Sequence, residues 1–209
     1  MVMPRRVPAL LALAALAPTL RFSSRCRAVV LGPGLGRDPD TGEFVRSFVT
    51  SVESATVVDA DGLNLLAGRA GALKSAPGSF VITPHPAEAG RLLGLPASAP
   101  IPKDRKKAVR DLVALTGAVA VLKGHGTLVC DGDRLYENRT GNPGMATGGT
   151  GDVLAGVIAA LLAQGLEPFE AAVLGVFVHG RAGDLAAKEV GEVSLVATDL
   201  LDFLPDAIG

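Results

Sequence analysis

Four short runs rich in β-branched residues, AVVLG (28–32), TVVDA (56–60), SFVIT (79–83) and VAVLK (119–123), recur along the chain with amphipathic stretches between them. Apolar runs of this length predict strands buried on both faces, which is the mark of a parallel sheet covered by helices. The intervening stretches predict helices over 42–52, 62–67, 86–93 and 104–115. In the last of these Asp104 is an N-cap, and Val109, Leu112 and Val113 form an apolar stripe opposite Arg105, Lys106 and Arg110. The run DRKK therefore reads as a solvated helix face. Residues 127–137 predict a hairpin turning at Asp131-Gly132. Two long helices are expected over 151–163 and 168–188, with Gly165 as a C-terminal cap and Pro168 in a first turn. Strands alternating with helices define a layered α/β fold.

Composition narrows the function classes. The 209 residues are 48% hydrophobic, enough for one domain with a substantial core. A net charge of −1, one Tyr and no Trp leave neither an electrostatic footprint nor stacking platforms for nucleic acid. Cys26 and Cys130 lie too far apart in sequence to suggest a disulfide framework or a metal cluster, and they fit a reducing compartment. Residues 1–27 form an atypical segment, in which Arg5 and Arg6 precede an apolar run interrupted by Pro8 and Pro18. That run is too short for a membrane-spanning helix. It reads as a secretory signal, as a helix over Leu10–Leu16 belonging to the domain, or as an artefactual or fragmentary start.

The strongest chemical signal is NPGMATGGTGD (142–152), a glycine-rich loop running directly into an apolar helix. Gly148, Gly149 and Gly151 leave backbone amides unobstructed where the helix start adds its partial positive charge, an arrangement that receives a phosphate or a developing oxyanion. Asp152 falls in the first turn beside that anion. It is either a cap or a base that removes a proton from a substrate hydroxyl, and the second reading is favoured. The loop is neither a Walker A sequence nor a dinucleotide fingerprint. A second element, VLKGHGT (121–127), ends a strand on Lys123 and turns through two glycines around His125, which reads as a solvent-facing loop residue. A third, TPHPAE (83–88), places His85 and Glu88 at the carboxyl end of a strand, where ligands of open α/β sheets collect. Gly34, Gly36, Asp59, Asp61 and Asn64 crowd the same edge, although Asp61-Gly62 also reads as a turn and cap.

Taken in order, LGPGLGRD, VVDADGLNLL, TPHPAE, LKGHGT and NPGMATGGTGDVLAGVIAALLAQG resemble the ADP- or ATP-dependent NAD(P)H-hydrate dehydratases of the ribokinase-like superfamily. The resemblance runs from Ala28 to the C-terminus, so residues 28–209 are expected to form the catalytic domain. It implies a layered αβα fold with a mostly parallel central sheet. It also implies a repair reaction, in which the S-epimer of NAD(P)H hydrate is phosphorylated on its hydroxyl by ADP or ATP and then loses phosphate to restore the reduced cofactor. Carried over by motif, Lys123, Gly124, His125, Gly126, Thr127, Gly148, Gly149 and Gly151 are expected to bind the nucleotide. Gly34, Gly36, Asp61, Asn64, His85 and Asp152 are expected to hold the hydrate, with Asp152 activating its hydroxyl. Magnesium accompanies the nucleotide, with Glu88 as its ligand through water. An NAD(P)H-hydrate epimerase, fused upstream in many relatives, is the implied functional partner of a cytoplasmic homo-oligomer. Family members place a long segment before LGPGLG, and residues 1–27 match it poorly, so N-terminal strands of the sheet are expected to be missing and one sheet edge open. The alternatives are a small-molecule hydroxyl kinase resembling hydroxyethylthiazole kinase, and an inactive truncated remnant that binds nucleotide.

Overall fold

The structure is a computed structural model that describes residues 12–96, 98 and 103–209. Six strands form one sheet in the order β1 (Ala28–Leu31), β2 (Ala55–Val58), β3 (Phe80–Ile82), β4 (Val119–Leu122), β5 (Leu128–Cys130) and β6 (Leu135–Glu137). The first four pair in parallel and the last two join antiparallel. All four predicted parallel strands form, each a residue or two shorter than its apolar run. The hairpin of 127–137 forms as β5 and β6, with Gly132 at φ +109° in its turn.

The period-two alternation of strand side chains divides the core into two layers. Val58, Ile82, Ala120, Leu122 and Leu128 face α2 (Pro39–Val49), α3 (Ala60–Leu66), α4 (Pro86–Leu92) and α5 (Arg105–Thr116). Val57, Val81, Val121 and Val129 face α6 (Thr150–Ala163) and α7 (Pro168–Val190). Sequential parallel strands joined by right-handed crossovers place every intervening helix on one face, which leaves the other to the C-terminal helices. The layered αβα architecture expected from the sequence is the one observed.

Two helices begin well away from where the sequence reading put them. Asp38 caps α2 by accepting the Asp40 amide at 2.9 Å, and Pro39 occupies the first turn, so the helix starts three residues before the expected Gly42. Pro18 likewise sits in the first turn of α1 (Leu16–Ser23) rather than interrupting it. The helix expected over Leu10–Leu16 is therefore displaced to Leu16–Ser23 after a single 3-10 turn, and the part of it before residue 12 lies outside the described residues. Helix α1 packs Leu16 and Leu20 into the layer that contains α2. Helix α8 (Ala197–Ile208) and a 3-10 segment over Ala70–Ser75 were not anticipated. Strand β1 bonds only β2 among the described residues, and Val30 on its α6-facing side is 38% exposed. No described helix is long and apolar enough to cross a membrane.

Candidate active site

The carboxyl ends of four adjacent parallel strands deliver four loops to one edge, and the start of α6 meets them there. Gly149 takes φ +92° at the N-cap of α6, a backbone state that L side chains rarely adopt. The first intrahelical bond runs from the Val153 amide to the Gly149 carbonyl at 3.1 Å, so the amides of Thr150, Gly151 and Asp152 precede the ladder and no side chain caps them. The Thr150 hydroxyl ties the loop down by donating to the carbonyls of Met145 and Thr147 at 2.9 and 3.0 Å. Asp152 is exposed and makes no hydrogen bond to another described residue through its carboxylate. It does not cap α6, although as a first-turn carboxylate it still faces the positive end of the helix dipole.

Lys123 ends β4 and reaches over this cradle. A Cβ on Gly151 would lie 3.3 Å from the Lys123 ammonium, a tight contact that the absence of a side chain at Gly151 avoids. The ammonium is held at 2.7 Å by Asp59 Oδ1, and the Asp59 side chain is 1% exposed. Asp59 stands at the N-cap of α3 without capping it, because its carboxylate is turned to Lys123. The next residue, Ala60, has φ +49°, the one left-handed non-glycine backbone among the described residues, and it lies between two site carboxylates.

The hydrate-side candidates gather on the neighbouring loops. Asp61 neither caps nor turns: its carboxylate accepts the Gly36 amide at 3.0 Å and pairs with Arg37 at 2.9 Å, which fixes the glycine loop after β1. Asn64 accepts from Arg91 Nε at 2.7 Å and donates to the Ala60 carbonyl. Gly34 remains exposed, with φ +73° and open space where a Cβ would lie. His85 caps α4 through Nδ1, which accepts the amides of Ala87 and Glu88, and Glu88 returns a bond to the His85 amide at 2.9 Å. With Nδ1 accepting, the neutral ring carries its proton on Nε2, 3.2 Å from the other Glu88 oxygen. Burial, then the Lys123 and Arg91 charges, hold the His85 imidazole below its ordinary pKa. Burial raises Glu88 above the usual carboxylate range, against the opposing bond from the His85 amide. One Glu88 oxygen thus faces the His85 amide and the other the His85 ring.

Three functional residues were missed or misread. Arg105 is not part of a solvated face: its guanidinium donates to the carbonyls of His125, Leu122 and Lys123, the latter two at 3.2 and 3.4 Å. His125 itself is exposed, as expected. His179 on α7 bonds through Nε2 to the Thr150 carbonyl at 2.8 Å, and burial drives its pKa from 6.5 to about 4. Asp59 was placed at the edge but given no role. Their partners lie far away in sequence, and no local motif announces them.

The layered sheet with helices on both faces is the ribokinase-like fold. Within that class, the chain belongs to the NAD(P)H-hydrate dehydratase family, whose model matches residues 3–206. It is 47% identical over 192 residues to a bifunctional NAD(P)H-hydrate repair enzyme of Moorella thermoacetica, covering 91% of this chain and 36% of that protein. It is 45% identical over 168 residues to an ADP-dependent (S)-NAD(P)H-hydrate dehydratase of Neisseria meningitidis, covering 78% of this chain and 56% of the other. A solved ADP/ATP-dependent NAD(P)H-hydrate dehydratase from Bacillus subtilis, co-crystallised with ATP and magnesium, superposes with a TM-score of 0.77 at 30% identity, covering 90% of this chain and 68% of that one. The chain thus spans about a third of the length of the bifunctional relatives it matches.

Proposed function

We propose that this chain carries the dehydratase activity of its family: ADP- or ATP-dependent conversion of the S-epimer of NAD(P)H hydrate to NAD(P)H. The observation that carries the reading is Asp152, a carboxylate in the first turn of α6 with no partner among the described residues, beside helix-start amides that no described side chain caps and next to the glycine that the Lys123 ammonium approaches. In the first step the hydrate hydroxyl oxygen bonds to the terminal phosphorus, the bridging P–O bond breaks, AMP (or ADP) leaves, and Asp152 takes the hydroxyl proton. The amides of Thr150 to Asp152 and the Lys123 ammonium meet the charge that gathers on the phosphoryl oxygens. In the second step the C–O bond breaks, phosphate leaves, and loss of a proton from the adjacent ring carbon restores the double bond. Lys123 to Thr127, with Gly148, Gly149 and Gly151, hold the nucleotide. The loops bearing Gly34, Gly36, Asp61, Asn64 and His85 form the hydrate side.

Magnesium fits as a companion of the nucleotide rather than as a resident ion. Among the described residues no three histidine, cysteine or acidic side chains converge into a cage. Magnesium generally keeps several waters and binds through substrate phosphates plus one or two carboxylates, and Asp152 is the uncommitted carboxylate of this site. When bound, the ion neutralises phosphate charge. The functional partner in this reading is an epimerase that supplies the S-epimer, consistent with the bifunctional names of the relatives, in a cytoplasmic homo-oligomer.

The test is to incubate the chain with NADH hydrate, magnesium and ADP or ATP and follow the near-ultraviolet absorbance of the dihydronicotinamide ring. Recovery should require nucleotide and release one phosphate per turnover, and Asp152→Asn should slow it by about a hundredfold or more. Nucleotide consumption that stops at a stable phosphorylated product would point instead to a hydroxyl kinase. No recovery by a chain that unfolds cooperatively would overturn the reading.

A further inference from the structure

We infer that Arg105 is the positioning residue of the nucleotide loop: its guanidinium gathers the carbonyls of residues 122, 123 and 125 so that the amides of Gly124 and Gly126 are presented to the polyphosphate. The inference rests on the reading that this loop binds ADP or ATP. The carbonyls of residues 122 to 125 all have partners that keep them out of the site. Arg105 takes those of Leu122, Lys123 and His125, and the Thr127 hydroxyl takes that of Gly124 at 2.9 Å. In a trans peptide the C=O and the following N–H point in opposite directions, and no described peptide bond is cis. Fixing the Lys123 and His125 carbonyls on Arg105 therefore turns the Gly124 and Gly126 amides away from α5. Helix α5 lies in one layer and α6 in the other, so that direction runs over the sheet edge toward the α6 cradle. Neither amide bonds to another described residue, whereas the Lys123 amide is spent on the Pro84 carbonyl at 2.9 Å.

The guanidinium gives something up to do this. Arg105 Nε is buried and has no hydrogen-bond partner among the described residues. A buried donor left unmade is costly, so the side chain is held for what its two terminal nitrogens reach. A planar fork of donors can bridge several carbonyls at once, which a single ammonium cannot. Neighbouring cations do other work: Lys106 pairs with Glu137 at 3.3 Å and Lys107 with Asp111 at 2.6 Å.

The experiment measures magnesium-ADP binding by calorimetry and the KM for NADH hydrate in the parent chain, Arg105→Ala, Arg105→Lys and, as a control on the same helix, Lys107→Ala. Arg105→Ala should raise the ADP Kd by about tenfold or more while the hydrate KM stays within about twofold. Arg105→Lys should raise it by about threefold or more, and Lys107→Ala should leave it unchanged. A merely structural role would move both substrates together or leave both alone. An Arg105→Ala chain that melts with the parent and binds ADP within about twofold of it overturns the inference, as does an equal loss for the two substrates. Should Arg105→Ala fail to fold, Arg105→Lys decides by the same comparison. A parent chain that binds neither ADP nor ATP overturns the reading of the site itself and this inference with it; where the parent binds ADP tightly without turnover, the ADP Kd values of the variants decide alone.

Discussion

His179 offers the sharpest link between the geometry of the site and a bulk measurement. Its Nε2 bonds the Thr150 carbonyl at 2.8 Å, at the first residue of the helix whose free amides form the cradle. Burial first, then the Lys123 charge, hold its pKa down from 6.5 to about 4. A lowered histidine pKa means that the unfolded chain accepts a proton that the native chain refuses. Stability is therefore unaffected by this group above about pH 7 and falls as pH drops from there toward about 4. Each pKa unit is worth about 1.4 kcal/mol, so the full depression corresponds to about 3 kcal/mol. Because the side chain keeps partial contact with solvent, we expect about 2 kcal/mol to be lost between about pH 7.5 and about pH 4.5. The assay is urea unfolding of the parent and of His179→Gln across that range. Both chains share every carboxylate and the other two histidines, so common titrations cancel in the difference. The stability advantage of the parent over His179→Gln should shrink by about 2 kcal/mol on acidification. A difference that stays constant within about 0.5 kcal/mol across the range would refute the claim that His179 is held neutral beneath the cradle.

Two further substitutions test the frame around the site. Asp59→Asn removes the counter-ion of Lys123, whose side chain is only 19% exposed, and should cost about 2 kcal/mol in urea unfolding at neutral pH; an unchanged midpoint would mean that Lys123 is solvated rather than held. Gly180→Ala would put a Cβ 2.7 Å from the Thr140 carbonyl carbon, where the loop feeding the cradle crosses α7. Overpacking there should cost about 2 kcal/mol and lower Tm by about 4 to 8 °C; a Tm within about 1 °C of the parent would show that the loop gives way freely.

The frame was legible because β2, β3 and β4 are buried on both faces and advertise themselves as unbroken apolar runs, and the more exposed β1 carries the same kind of run. Helix starts were less so: Pro18 read as an interruption and Pro39 was passed over, when each lies in the first turn of a helix. Helix α8 escaped because Pro205 falls inside it and breaks the expected pattern. Within the site, the loops were found because motif residues at strand ends are contiguous in sequence. What escaped is every relation that depends on which ends become neighbours. Asp59 meets Lys123 across 64 residues and His179 meets Thr150 across 29. Arg105 makes the same point at shorter range, since nothing in the run DRKK distinguishes it from Lys106 or Lys107. Register does. At the first residue of α5, where the helix passes the end of β4, one side chain reaches the loop carbonyls while the next two turn to surface partners. A charged run on a helix therefore cannot be assigned to solvent as a block. Each of its members has to be placed against the layer behind it before its role can be read.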